Sequence, residues 1–285
     1  MTRPPDTISV PGADYAEEYL EVDDGVRLRV LHWTPRPATA ADPVVFVAGF
    51  VSSVHGWAEF LRAVAPTRPV WYIETREKGS AQIERRVTAA DFTIPRLAED
   101  IIAASVRLPI DRGRLILMGS SFGATAVLEA LKHGRLTARA AFLLSPNTEY
   151  RASRPLWSIT YLPAAFYHPA RHLVIWYLRT FRVDAKREPE QMLRYEETLR
   201  TANPLRVKFA VRALKSYSVW QDIETVAIPV AIGYAASDTL HGEANIRRMA
   251  ERLPHARMIS FPTNKAVHGA DLMPRLDVFL LGLRD

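Results

Sequence analysis

Short, continuous apolar runs alternate with segments of helical periodicity along most of this 285-residue chain. A run without polar interruptions is typical of a strand that is buried on both faces, as in a parallel sheet covered by helices. The regular alternation therefore predicts an α/β fold with helices on both sides of the sheet. The apolar runs lie at 44–48, 70–73, 115–118, 140–144, 230–233 and 257–261, and the helical patterns at 57–64, 97–108, 122–132, 243–253 and 270–283.

A β-hairpin is predicted ahead of the first apolar run. Residues 19–22 and 26–33 alternate in the manner of strands on either side of the dipeptide Asp24-Gly25. This dipeptide is typical of the tight turn between two antiparallel strands.

The alternation of strand and helix is interrupted after Ser145. Roughly seventy to eighty residues pass before the next strand, far more than an ordinary connection contains. The stretch is rich in aromatic residues, Arg and Pro, with helical patterns at 171–181, 189–201 and 204–217. We therefore expect a helical cap at 146–222, inserted into a core domain that is formed by 1–145 and 223–285.

The motif with the clearest chemical meaning is Gly119-Ser120-Ser121-Phe122-Gly123. It follows a predicted strand and opens an apolar helix, which is the context that a nucleophile elbow of the G-x-S-x-G type requires. The glycine spacing selects Ser121, because Ser120 as nucleophile would need glycines where Met118 and Phe122 stand. At a helix N-terminus, the main-chain N–H groups favour the negative charge that develops in the reaction.

A serine nucleophile needs a base, usually His, which a carboxylate orients. Of the eight histidines, His268 lies in the loop after the last predicted strand and directly before the final helix. Asp238 follows the strand at 230–233 and precedes His268 by 30 residues, which gives the chain order Ser, Asp, His of this fold. We therefore expect Ser121, His268 and Asp238 to form a catalytic triad.

An oxyanion hole is expected from two main-chain N–H groups. One belongs to Phe122, the residue after the nucleophile. The second is expected from Phe50, in the loop that follows the run at 44–48. Such donors bind the oxygen that becomes negatively charged in a tetrahedral intermediate.

With these features, residues 16–285 resemble an α/β-hydrolase with a cap domain. The resemblance rests on Gly49-Phe50 after the third strand, the Ser121 motif after the fifth, Asp238, His268 and the helical insert after the sixth. It implies a mostly parallel eight-stranded sheet flanked by helices, an acyl-enzyme intermediate and no cofactor. A serine nucleophile argues against the dehalogenase and epoxide-hydrolase branches of this superfamily.

The chain departs from common patterns of the resembling proteins at three places. Ala48-Gly49 stands where His-Gly is frequent, and Val267 stands where a glycine often precedes the base. After the fourth strand, the pattern of an acidic residue, Arg-Gly and a second Gly before Ser is replaced by Glu74-Thr75-Arg76-Glu77-Lys78-Gly79-Ser80. These departures leave the subfamily open.

The aromatic residues of the insert are candidates for substrate contact. Trp157, Tyr161, Phe166 and Trp176 could line an acyl pocket, form the insert's own core or touch a membrane or lipid surface.

Two histidines four residues apart, His168 and His172, could share a helix face, but no Glu follows the first and Pro169 interrupts the pattern. We therefore expect no metal site, and the chain carries no nucleic-acid motif.

Composition narrows the remaining classes of function. The absence of cysteine excludes disulfides and thiolate catalysis. A formal net charge of +6 without long charge blocks is an ordinary, mildly basic balance. The polar, Pro-rich first residues carry no apolar signal segment, so we expect a cytoplasmic protein. The oligomeric state is left open.

Together these features predict a serine hydrolase that cleaves a hydrophobic carboxylic ester or lipid of medium or long chain, such as a monoacylglycerol or a lysophospholipid, through an acyl-enzyme. An acyltransferase or a thioesterase with the same triad is the nearest alternative, because it differs only in leaving group and acceptor. A ligand-binding receptor that retains the fold without turnover is a third interpretation.

Overall fold

The computed structural model describes residues 8–150, 202–235 and 243–283, together with positions 161, 166, 172, 173, 175–177, 179, 180, 192 and 196. Among these residues, none of the helices has the length and apolar character needed to cross a bilayer.

The described strands form one twisted sheet. They are β1 (Ala13–Asp23), β2 (Val26–Pro35), β3 (Val44–Val47), β4 (Val70–Ile73), β5 (Gln82–Ile83), β6 (Ile116–Ser120), β7 (Ala140–Leu144), β8 (Val230–Ala235) and β9 (Ala256–Phe261). Their spatial order is β1-β2-β4-β3-β6-β7-β8-β9, with β5 paired to β2 outside that path. In this spatial order, neighbouring strands are parallel from β4 through β3, β6, β7 and β8 to β9. The three pairs that β2 makes, with β1, β4 and β5, are antiparallel.

The mostly parallel sheet of an α/β-hydrolase is confirmed, but its strand number differs from the prediction. We expected eight strands, and the described sheet has nine. The additional strand is β5, whose two residues pair with Val26 and Arg27. A strand of two residues is too short to produce a periodic sequence pattern, so the sequence carries no signal for it.

Helices cover both faces of the sheet. They are α1 (Ala58–Val64), α2 (Ile94–Arg107), α3 (Phe122–Leu131), α4 (Pro204–Leu214), α5 (Glu243–Arg252), α6 (Asn264–His268) and α7 (Leu272–Leu281). Successive residues of β3 divide between the two layers: Val45 and Val47 belong to the core cluster of α2, α3 and α5, and Val44 and Phe46 to that of α1, α6 and α7. The two-residue period of a strand therefore explains why this run is apolar throughout.

Local signals fix the hairpin and the starts of two helices. Gly25 has a φ of +61°, which glycine adopts at little cost, and β1 pairs with β2 around it as predicted. The Thr93 side chain accepts from the N–H of Arg96 at the start of α2. At the start of α4, the Asn203 side chain accepts from the N–H groups of Leu205 and Arg206, and Pro204 occupies the first turn.

A buried guanidinium anchors the loop that follows β4. Arg76 is fully buried, and its Nε donates to Asp100 Oδ2 on α2 at 2.6 Å. Its terminal nitrogens also lie 3.6 Å from carboxylate oxygens of Asp91 and Asp23. Ion pairs on three sides therefore hold this loop against β1 and α2, next to the carboxyl ends of the central strands.

Only the last helix of the predicted insert is described in full. The sequence predicts a helix at 204–217, and α4 ends at Leu214. It packs against the 3-10 helix Ala89–Phe92, which precedes α2. In the helical pattern at 171–181, the described positions 172, 173, 175–177, 179 and 180 are helical. Of the pattern at 189–201 only positions 192 and 196 are described, and the division into core and cap stays a prediction.

Candidate active site

Ser121 occupies a sharp turn between β6 and α3. Its φ of 49° and ψ of −114° are a strained combination for a residue with a side chain. The turn is held at both ends: Ser121 N–H donates to Leu144 O at 2.7 Å, and its carbonyl accepts from Thr125 N at 3.0 Å. Strain of this kind persists only where the surroundings enforce it, and it presents the serine at the carboxyl edge of the sheet.

Two glycines give the turn the space that it needs. A Cβ atom at Gly123 would lie 2.2 Å from the carbonyl oxygen of Val47, and one at Gly119 would lie 2.7 Å from Ala124 Cα. Both distances are far below van der Waals contact. The motif is therefore required by the packing of β3 against α3.

Asn147 contacts the candidate nucleophile, and sequence analysis missed it. Its Nδ2 atom donates to Ser121 Oγ at 3.0 Å. Its main-chain N–H donates to Thr125 Oγ1 at 2.8 Å, and that hydroxyl lies 3.2 Å from the carbonyl oxygen of Asn147. Because Thr125 lies one helical turn after Ser121, it fixes Asn147 relative to the turn. A residue two positions after a strand-end serine gives no recognisable sequence signal for this contact.

The two residues that carry the predicted oxyanion donors are neighbours, one at the start of α3 and one in the loop after β3. Phe122 begins α3, so its N–H has no acceptor inside the helix. Phe50 follows β3, and its ring meets that of Phe122 edge-on with centroids 5.2 Å apart. A Cβ at Gly49 would lie 3.7 Å from Ser121 Cβ, so the loop that carries Phe50 runs directly beside the nucleophile.

Two buried charged residues hold that loop. Lys78 Nζ donates to Gly49 O at 3.3 Å, and Glu77 Oε1 accepts from the N–H of Val51 at 3.2 Å. Lys78 and Glu77 also pair with each other at 3.2 Å. Both side chains are almost completely removed from solvent. They bind both sides of the Phe50 position, through Val51 and Gly49.

Helix α4 reaches the same region through Arg206. Its two terminal nitrogens donate to the carbonyl oxygens of Lys78 and Ala81. Burial lowers the pKa of Arg206 from its ordinary value, although the nearby Glu77 carboxylate acts in the opposite direction. The predicted insert is thus bonded to the loop that holds the oxyanion segment.

His268 is the last residue of α6. Its Nδ1 atom lies 2.8 Å from the carbonyl oxygen of Asn264. A carbonyl oxygen can only accept, so in the neutral ring Nδ1 carries the hydrogen and Nε2 keeps the lone pair that a base needs. The ring packs on Trp57 with centroids 4.4 Å apart, and Trp57 Nε1 donates to Ser52 Oγ at 3.3 Å. The loop after β3 therefore borders both Ser121 and His268.

The remaining predicted site residues are the acid Asp238 and the aromatic residues of the predicted cap. Asp238 and Trp157 lie outside the described residues. Tyr161, Phe166 and Trp176 are 65%, 54% and 55% exposed, so most of each side chain faces solvent. The guanidinium of Arg212 lies 4.3 Å from the ring centre of Tyr161. The roles of these residues in binding stay predictions.

Within the described part of the chain, no three His, Asp or Glu side chains cluster closely enough to hold a metal ion. His172 is exposed, and His168 lies outside that part.

The sheet order and the strained serine turn define this protein as an α/β-hydrolase. Residues 43–269 match the family described as serine aminopeptidase, S33, and the chain belongs to that family. No protein with a curated description matches it.

Solved structures with the same fold cover nearly the whole chain. The enol-lactonase of Burkholderia xenovorans superposes with a TM-score of 0.74 at 17% identity, covering 93% of this chain and 100% of its own. A thermophilic esterase of Thermogutta terrifontis, with malate bound, gives 0.73 at 14% identity, covering 96% and 100%. An esterase of Exiguobacterium antarcticum gives 0.72 at 12% identity, covering 95% and 100%. At sequence identities this low, the structural likeness shows a shared fold and no more.

Proposed function

We propose that this protein is a serine hydrolase that cleaves a hydrophobic carboxylic ester through an acyl-enzyme. The observation that carries the proposal is Ser121 in its strained turn at the start of α3, beside the loop that also contacts the ring of His268 through Trp57. Family membership supports a hydrolase, and the esterases among the structural neighbours support an ester substrate.

In the acylation half of the reaction, Nε2 of His268 takes the proton of Ser121 as Oγ attacks the acyl carbon. His268 then gives that proton to the alcohol oxygen as the bond between the acyl carbon and this oxygen breaks. The Nδ1 hydrogen bond to Asn264 O keeps the ring in the tautomer that this step requires. The N–H groups of Phe50 and Phe122 bind the carbonyl oxygen as it becomes negative. Removing one such donor typically costs about 3 kcal/mol of transition-state stabilisation.

In the deacylation half, His268 activates a water molecule, which attacks the acyl-enzyme. The bond between the acyl carbon and Ser121 Oγ breaks, and His268 returns the proton to Oγ. Asp238 is proposed to stabilise the imidazolium form of His268. Atoms balance as ester plus water giving acid plus alcohol, so no cofactor is needed.

A hydrophobic ester or lipid of medium or long chain is proposed as the substrate, because aromatic side chains dominate the predicted cap. Exposed aromatics such as Tyr161, Phe166 and Trp176 would also suit a transient contact with a lipid surface. The named activities of the structural neighbours include an enol-lactonase, whose cyclic ester reacts at the same type of bond. An acyltransferase or thioesterase would use the same residues with another acceptor or leaving group.

The first experiment compares hydrolysis of 4-nitrophenyl esters, from acetate to palmitate, by the wild type and Ser121→Ala. We expect turnover in the wild type and none above background in the variant, and the preferred chain length reports the size of the acyl pocket. A fluorophosphonate should label the wild type at Ser121. Labelling without turnover on any ester would favour the receptor interpretation, and equal activity in Ser121→Ala would disprove the nucleophile assignment.

The acid is tested separately with Asp238→Asn. We expect kcat to fall by orders of magnitude, up to about 10⁴-fold as in related triads. Asp271→Asn is the matched control, since Asp271 follows His268 in the chain and lies at the start of α7. If Asp238→Asn retained full activity, Asp238 would not be the acid of the triad.

A further inference from the structure

The Asn147 side chain places an amide N–H on the reacting oxygen atom itself. Its Nδ2 donates to Ser121 Oγ at 3.0 Å, which is an ordinary hydrogen-bond length. The predicted oxyanion donors are main-chain groups that face the carbonyl oxygen of the substrate. Asn147 therefore acts on a different atom, and its role differs from theirs.

The position of Asn147 is fixed independently of the substrate. Asn147 N donates to Thr125 Oγ1, and the same hydroxyl lies 3.1 Å from the carbonyl oxygen of Ser121. Thr125 is fully buried. The serine, the threonine and the asparagine thus form one closed set of contacts across β7 and α3. A donor that is already in place when charge develops requires no rearrangement during the reaction.

We propose that Asn147 is a catalytic residue that stabilises Ser121 Oγ as the leaving group in deacylation. This inference rests on the proposed function of the site. When the tetrahedral intermediate collapses, the electron pair of the bond between carbon and Oγ moves to Oγ, and His268 delivers a proton to the same atom. A hydrogen bond strengthens when its acceptor gains negative charge, so the Nδ2 contact stabilises this transition state.

The hydrogen bond from Asn147 should change the rate of acylation less than the rate of deacylation. In acylation Oγ starts as a hydroxyl oxygen that already accepts from Asn147, whereas in deacylation it starts as an ester oxygen, which is a weaker acceptor. The same donor therefore stabilises the starting state nearly as well as the transition state, and only a difference between the two changes the rate. The inference predicts unequal effects on the two halves of the reaction.

The test uses Asn147→Ala together with Asn147→Asp, which keeps the shape of the side chain but cannot donate a hydrogen bond when ionised. The substrate is the best 4-nitrophenyl ester of the wild type, whose good leaving group makes deacylation limit kcat. We expect kcat to fall about tenfold or more in both variants. We expect kcat/KM and the rate of fluorophosphonate labelling, which report the attack by Ser121, to change less than about threefold.

A rapid-mixing measurement separates this inference from the proposed function. Wild-type enzyme should release a burst of 4-nitrophenol, and both variants should keep the burst while the following steady rate slows. Equal losses in kcat and kcat/KM, or no change in either, would overturn the role of Asn147. A wild type that neither hydrolyses esters nor reacts with the fluorophosphonate would instead refute the proposed function.

Discussion

Lys78 Nζ donates to the carbonyl oxygen of Gly49 at 3.3 Å, and that carbonyl belongs to the same peptide unit as the N–H of Phe50. A trans peptide is planar, with its C=O and N–H pointing in opposite directions. The Lys78 contact therefore orients the N–H that we assign to the oxyanion hole. Glu77 completes the arrangement from the other side, by accepting from Val51, whose φ is +51°.

This geometry predicts different outcomes for single and double substitutions. Lys78→Met leaves Glu77 as a buried carboxylate without its cation, so we expect a loss of about 3–5 kcal/mol in unfolding free energy. Glu77→Gln with Lys78→Met removes both charges and should recover most of that stability. Urea unfolding measures both effects.

Activity separates positioning from stability in the same variants. In the double variant Gly49 O keeps only the bond from Ser52 N–H, at 3.0 Å, and lacks the one from Lys78. We therefore expect kcat/KM to stay about tenfold below wild type even though the protein is stable. Wild-type kcat/KM in a stable double variant would show that Lys78 does not position the oxyanion donor.

The space around two glycines gives a second prediction. At Gly123 an added Cβ would lie 2.2 Å from Val47 O, whereas at Gly49 the nearest atom would be Ser120 O at 3.5 Å. Gly123→Ala should therefore lower the unfolding free energy by about 3 kcal/mol or more, because main chain must move. Gly49→Ala should change it by less than about 1 kcal/mol. Denaturant midpoints compare the two, and equal losses would contradict the packing argument.

Stability should depend on pH through Asp91. Burial by itself raises the pKa of Asp91, but hydrogen bonds from Thr88 and the ion pair with Arg85 lower it below its ordinary value of 3.8. A carboxyl with a lowered pKa contributes stability that is fully present above its unfolded-state pKa and is lost as the pH falls through the folded-state pKa. We expect Asp91→Asn to cost about 1–3 kcal/mol at pH 7.

The difference between wild type and Asp91→Asn isolates this one group from other carboxyls. That difference should stay constant from pH 7 to about 5 and should shrink as the pH falls below 3.8. Thermal or urea unfolding at a series of pH values measures it. A difference that does not vary down to pH 2 would mean that the charge of Asp91 contributes nothing.

The anchoring of α4 gives a further prediction. Arg206→Lys keeps the charge but loses the two-pronged contact with the carbonyls of Lys78 and Ala81, so we expect a loss of about 1–3 kcal/mol. Leu205→Ala, at a neighbouring and partly exposed position, should change stability by about 0.5 kcal/mol or less. Equal effects of the two substitutions would show that the Arg206 hydrogen bonds are not stabilising.

Features that depend on local periodicity could be predicted from the sequence. The elbow motif, the apolar runs and the Asp24-Gly25 turn each lie within a few residues, and each has the expected structure. The short strand β5 was missed, because pairing with β2 creates it rather than any pattern of its own.

The contacts that tune the site could not be predicted in this way. Asn147 meets Ser121, and Glu77 meets Val51, across 26 residues in each case. Both contacts exist because β4, β3, β6 and β7 are successive neighbours in the sheet, with their carboxyl ends side by side. The unusual Glu77-Lys78 pair was visible in the sequence as a departure, but its meaning depends on the distance to the loop after β3.

The bonds of Arg206 also bear on how caps could be exchanged between proteins of this family. Arg206 belongs to the predicted insert, yet its partner Lys78 lies 128 residues earlier in the core. A chimera that replaced all of 146–222 would remove the guanidinium that holds the loop beneath the oxyanion segment. The exchanged segment of such a chimera should therefore end before Pro204, so that the core domain keeps its own α4.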